Sequence, residues 1–265
     1  SPSFSLHQVS CQFATGDTLF GPLNLSLDKS QCGLVGRNGV GKTRLLRLLA
    51  GVDIPSAGHI EVISSHAYVS QQHELFAQTT LAEFLGYAPI FSALYRLKRG
   101  DASAEDIEAL DGFWDLPVRL NAAFQEAGLG DVAPQRLASS LSGGERIKAL
   151  LCAAFISGAD YLLLDEPTTW LDLRYQVEIL ELLQQLTREH GRTVVTVLHD
   201  LNFAVNYADT LVFMKQGRVA GVINDSQDCT PALIKQVFDV DVQMLHNPQS
   251  GKPLFMPFSA RPVTA

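Results

Sequence analysis

The octapeptide GRNGVGKT, residues 36–43, links the short apolar run QCGLVG to the amphipathic run TRLLRLLAG. It matches G-x-x-x-x-G-K-[ST] in the strand–loop–helix setting that this pattern requires. Three glycines in eight residues let the backbone curl until its N–H groups converge, and converging amides at the head of a helix bind anions. The loop therefore predicts a triphosphate cradle made by the backbone of Gly36, Arg37, Asn38, Gly39, Val40 and Gly41. Lys42 reaches the β- and γ-phosphates as a point charge, and the Thr43 hydroxyl is offered to Mg²⁺. The alternative is a glycine-rich turn with no ligand, which the flanking strand and helix patterns disfavour.

A second apolar run, YLLLDEP, ends in two carboxylates, Asp165 and Glu166. Charge at the end of a buried strand is costly without a partner. In an open α/β sheet the carboxyl ends of the strands line the ligand crevice. Asp165 is thus placed to hold Mg²⁺, directly or through water, and Glu166 to polarise or orient an attacking water. His199 closes a third apolar run, TVVTVLHD, and either caps the helix beginning at Leu201 or contacts a γ-phosphate. Gln71, in YVSQQ, either touches Mg²⁺ or the water, or is a plain polar loop residue. Phe13, early in the chain, either stacks on adenine or packs in the core.

LSGGERIKALL, residues 141–151, opens an amphipathic helix with two poor helix formers, Gly143 and Gly144. Ser142 and Glu145 fit a capping box, which leaves the glycines unexplained. Backbone without side chains at a helix N-terminus admits an anion close to the free N–H groups.

Short apolar strands alternating with helices predict a mostly parallel sheet covered on both faces. The runs FSLHQV and LNLSL alternate as antiparallel strands, and residues 73–157 read as a helical insertion. There Thr80 and Glu83 form a second capping box, and RLKRGDASAEDIEAL reads as a solvated loop and helix face. In LRYQVEILELLQQLTREH a stripe joins Leu173, Val177, Leu180, Leu183 and Leu186. Gln216-Gly217 turns between two strands, and Thr230-Pro231 starts a late helix. The expected division is an α/β core (1–72 and 158–225), a helical subdomain (73–157) and a C-terminal extension (226–265). The net charge of −8 argues against non-specific nucleic-acid binding. Four scattered cysteines fit reduced thiols. The N-terminal stretch has no signal-peptide pattern, and the longest apolar run, ALLCAAFISGA, is too short to span a bilayer.

In this order, GRNGVGKT, YVSQQ, LSGGE, LLLDEP, WLD and LHD resemble the ATP-binding cassette (ABC) ATPases. The resemblance implies an ABC-type P-loop NTPase, α/β, with an antiparallel β subdomain and a helical subdomain. It implies ATP as substrate, Mg²⁺ as cofactor, and head-to-tail pairing with a second copy. Ser142 and Gly144 would then face the γ-phosphate held by the partner, and Asp172 would cross to the opposite site. The first part, with LVGRNGVGKTRLLRLLAG and LSGGER, looks most like the ABC-F branch. The later part, with FDVDVQML and GKPLF, looks like ATPases of ferric-siderophore and cobalamin-type importers. A seam between about residues 150 and 170 would make the chain a natural mosaic or an engineered fusion. The expected role is the cytoplasmic ATPase subunit of such an importer, peripheral to the inner membrane when bound to permease subunits. The alternatives are a ribosome-associated ABC-F ATPase and a fusion with no physiological partner.

Overall fold

The strand β3 (Gln31–Gly36) is buried at every residue, and a six-stranded sheet is arranged around it. The computed structural model describes residues 4–27, 31–62, 64–70 and 76–260. The other strands of this sheet are β5 (His66–Ser70), β6 (Tyr161–Asp165), β7 (Thr193–Val197), β8 (Thr210–Lys215) and β9 (Arg218–Ile223). Their spatial order is β5-β6-β7-β3-β8-β9. The first five run parallel, and β9 closes one edge antiparallel to β8. The Gln216-Gly217 turn between β8 and β9 has positive φ at both residues, which suits a tight hairpin. β6 and β7 are buried at every position, as strands covered on both faces must be.

A separate antiparallel sheet joins β1 (Phe4–Gln12), β2 (Thr18–Leu27) and β4 (Ala57–Val62) in the order β2-β1-β4. Alternation puts Phe20, Leu23, Leu25 and Leu27 of β2 into one core cluster. Leu45, Leu46, Leu48 and Leu49 of the helix α1 (Lys42–Leu49) join the same cluster. Each such leucine contributes roughly 1.5–3 kcal/mol relative to exposure, so the start of α1 is held firmly. These elements belong to one compact unit, Ser1–Ser70 with Ala159–Trp170 and Leu180–Ala265.

The second unit comprises Gln71–Gly158 and Leu171–Ile179. It contains the helices α2 (Leu81–Phe84), α3 (Ala88–Arg99), α4 (Ala104–Ala109), α5 (Leu116–Glu126) and α6 (Gly143–Ile156). The first turns of α7 (Leu173–His190) also belong to it, a segment that boundaries of 73–157 leave out. Among the described residues, three N-termini carry reciprocal capping boxes: Thr80 with Glu83, Ser103 with Asp106, and Ser142 with Glu145.

Two expectations change. Asp106, in the stretch read as solvated, is buried and clamped by the Arg96 guanidinium. That guanidinium, with the Ser103 amide, holds the Asp106 carboxyl well below the usual aspartate range. On α7, Leu180, Leu183 and Leu186 are buried but Leu173 is 69% exposed; Ile179 is buried. Leu173 is the first residue of α7, and helical period alone does not say where burial begins. Beyond α8 (Leu201–Tyr207), the expected late helix is α9 (Pro231–Phe238, capped by Thr230), and the extension continues past it. It forms a hairpin of β10 (Val240–His246) and β11 (Pro253–Ala260). The Asn202 side-chain amide both donates to the Phe255 carbonyl and accepts from its amide. Among the described residues, no helix is long and apolar enough to cross a membrane.

Candidate functional site

The loop after β3 is shaped by glycine conformation. Gly39 and Gly41 have φ of 81° and 98°, values that L side chains rarely adopt. A Cβ on Gly41 would also stand 2.6 Å from the Phe20 ring. Gly41 is the N-cap of α1, and no side chain caps that helix. Its first N–H groups therefore keep their capacity for an anion.

Lys42 is 5% exposed. Its Nζ donates to the carbonyls of Gly36 (2.8 Å) and Arg37 (2.9 Å), which sets the ammonium across the loop. Burial lowers its pKa from the usual lysine value, while the charges of Glu166 and Asp165 raise it. The Arg37 side chain points elsewhere: its guanidinium pairs with Asp239 at 3.1 Å, and Asp239 is held by Lys215 at 2.8 Å. Asn38 is exposed and Val40 partly buried.

Thr43 Oγ1 donates to Asp165 Oδ1 at 2.9 Å, and the Tyr68 hydroxyl donates to Oδ2 at 3.4 Å. Both oxygens of the carboxylate that ends β6 are thus engaged. Burial raises the Asp165 pKa, the Thr43 hydrogen bond lowers it, and the Glu166 charge raises it again. Tyr68 was not anticipated. Its only sequence signal is its place on β5, whose residues pair in parallel register with β6 up to Ser70 opposite Asp165.

Glu166 follows with φ of 53°, a left-handed conformation that is uncommon for a residue with a side chain. Its Oε1 lies 2.7 Å from His199 Nε2. His199 does not cap α8; the Asp200 carboxylate does, accepting from the Phe203 amide at 2.9 Å. Phe13 lies just past the end of β1 in a turn closed by its bond to Asp17. It is 54% exposed and not in the core. Gln71 lies outside the described residues.

Thr43 and Asp165 are hard oxygen donors in contact, which suits Mg²⁺, an ion that takes one or two protein oxygens and fills its shell with phosphate and water. Among the described residues there is no cluster of three or more His, Cys, Asp or Glu able to cage a metal.

In the second unit, Ser142 is the N-cap of α6, and Glu145 Oε2 accepts the Ser142 amide at 2.7 Å. Gly143 and Gly144 have no positive φ, so their backbone does not demand glycine. A Cβ on Gly143 would meet Leu171 at an ordinary 3.5 Å, whereas one on Gly144 would overlap the Tyr175 ring at 2.2 Å. Asp172 Oδ1 accepts the Tyr175 amide at 3.0 Å.

A family model described as ABC transporter matches residues 20–169. The iron(3+)-hydroxamate import ATP-binding protein FhuC of Bacillus subtilis (strain 168) is 31% identical over 252 residues, covering 89% of this chain and 88% of that protein. The hemin import ATP-binding protein HmuV of Rhodopseudomonas palustris (strain HaA2) is 32% identical over 268 residues, covering 96% and 98%. Among solved structures, a metal-chelate type ABC transporter in an inward-facing conformation superposes with a TM-score of 0.77. It is 25% identical and covers 98% of each chain. Alignments of this extent cross the expected seam at residues 150–170. The ABC-F likeness of the first part, and with it the mosaic or fused chain, finds no support in them.

Proposed function

The chain belongs to the ABC transporter family, and from that premise we propose that it is the ATPase subunit of an importer for iron-siderophore, haem or related metal chelates. It binds ATP and hydrolyses it to ADP and phosphate. Near-full-length similarity to import ATP-binding proteins carries the importer assignment. The contact of Thr43 with Asp165, beside the buried Lys42, supports the chemistry.

In this reading the α1 N-terminus and the loop amides bind the phosphates, and Lys42 turns its ammonium from the loop carbonyls to the β- and γ-oxygens. Thr43 and Asp165 would hold Mg²⁺, which neutralises phosphate charge when bound. Glu166 orients the attacking water and accepts its proton as the new P–O bond forms and the bond to the β-phosphate oxygen breaks. His199, hydrogen-bonded to Glu166, keeps that carboxylate aimed. Phe13 stacks on the base, and Gln71 senses the metal or the water. Two copies pair head to tail, so that Ser142, Gly143, Gly144 and Asp172 of each serve the nucleotide held by the other. Permease subunits provide the passage through the membrane, with this chain peripheral to its cytoplasmic side.

Purification from native membranes, with ATP turnover measured on the recovered complex, tests the assignment. We expect Mg²⁺-dependent turnover and co-purifying integral-membrane subunits. Recovery with ribosomes alone, or turnover indifferent to Mg²⁺, would refute it.

A further inference from the structure

Gly144 is excluded from carrying a side chain by this chain itself. A Cβ there would lie 2.2 Å from Cδ1 and 2.3 Å from Cγ of Tyr175, at the root of the ring, where rotation gives little relief. The same ring ends in a hydroxyl 3.2 Å from Ser142 Oγ, with Ser142 donating. Both oxygens carry a proton, so the bond can reverse. If the serine turns its O–H to a phosphate oxygen, Tyr175 can donate to Ser142 Oγ in its place. The backbone of Tyr175 is engaged as well, donating its amide to Asp172. The ring is backed by the Lys148 ammonium, 5.6 Å from its centroid, and Lys148 is tethered by Glu178, which Arg174 also holds at 2.7 Å. One residue thus touches the serine and second glycine that head α6, and the aspartate that heads α7.

We propose that Tyr175 is a positioning residue for ATP turnover: it sets the orientation of the Ser142 hydroxyl and ties it to Asp172, and Gly144 is glycine because the ring needs its space. This rests on the reading above, in which Ser142 and Asp172 serve the nucleotide of a second copy. The proposal predicts that the cost of a methyl group at position 144 depends on the side chain at position 175. A glycine required only by an approaching phosphate predicts no such dependence.

The test is a double-mutant cycle of Gly144→Ala and Tyr175→Ala, with kcat and KM for ATP measured on each protein and thermal melts reporting folding. Gly144→Ala alone should lower kcat at least about tenfold with KM little changed. In the Tyr175→Ala background the same change should cost at least about fivefold less. Tyr175→Phe, which keeps the ring and folds conservatively, should lower kcat by roughly 2- to 12-fold through the lost hydrogen bond. Equal cost of Gly144→Ala in both backgrounds, or a Tyr175→Phe protein with unaltered kcat, would overturn the proposal. The premise is tested apart, by light scattering on Glu166→Gln with MgATP and native residues at 144 and 175. A protein that stays monomeric there overturns the cross-copy reading and the proposal with it.

Discussion

Two stretches of this chain place glycines just ahead of or at the start of a helix, for different physical reasons. In the loop before α1, Gly39 and Gly41 occupy left-handed backbone, and the glycines are there for conformation. At the head of α6, Gly143 and Gly144 lie in ordinary backbone, and Gly144 is there for room beneath Tyr175. The surroundings differ in the same sense. The loop is beside buried charge, Lys42 and Asp165, whereas α6 begins with a capping box and a hydroxyl. In the reading proposed above, one region grips and reacts, and the other offers amides and a serine to something brought to it. The glycines alone do not tell the two regions apart, but the backbone angle and the neighbour do.

Four experiments press on that contrast. The largest effect is expected from Glu166→Gln, which removes the proton acceptor and keeps the shape. Turnover should fall roughly 10²–10⁴-fold while calorimetry shows ATP still bound; loss of binding instead would move Glu166 from chemistry to affinity. Next, Lys42→Ala should weaken ATP about 10²-fold or more, since each hydrogen bond to a charged group is worth about 1.5–3 kcal/mol. Unchanged affinity by the same titration would remove the loop from the site.

Gly39→Ala should cost about 1–2 kcal/mol from backbone strain alone. Nothing lies within 4 Å of the added methyl, so no second substitution should relieve it, in contrast to position 144. Urea unfolding checks this, and wild-type stability would break the distinction. The smallest effect is a gain. Burial raises the Asp165 pKa, so its ionised form destabilises the folded chain above that pKa, and the penalty fades as pH falls toward the ordinary aspartate value. Without Mg²⁺, Asp165→Asn should melt higher at pH 7, by about 2–4 °C per 1 kcal/mol relieved, with the gap closing toward pH 4. A lower melting temperature at pH 7 would mean that the bonds from Thr43 and Tyr68 outweigh the desolvation.

Much of the site could be read from local pattern, because its parts are local. The loop from Gly36 to Thr43, the acids ending β6 and the Ser142–Glu145 box each lie within eight residues. What escaped depends on partners distant in the chain. Tyr68 reaches Asp165 only through strand register, Tyr175 reaches Ser142 only once α7 packs near α6 in the second unit, and the Arg37 side chain turns from its loop to Asp239. β11 carries Pro253 and Pro257, which obscure a strand pattern, yet in a two-stranded hairpin prolines are tolerated on the unpaired side. The expected seam rests on short likenesses, whereas alignments over nearly the whole chain run through it.

The left-handed backbone at Glu166 has a last consequence. Glycine or asparagine would relax that corner, so a lineage keeping only the architecture would gain by discarding the acid. Glutamine inherits the same discomfort as glutamate, which makes the Glu166→Gln comparison a clean measure of the missing charge. In the reading proposed above, a carboxylate at so awkward a bend is accounted for by turnover and not by stability.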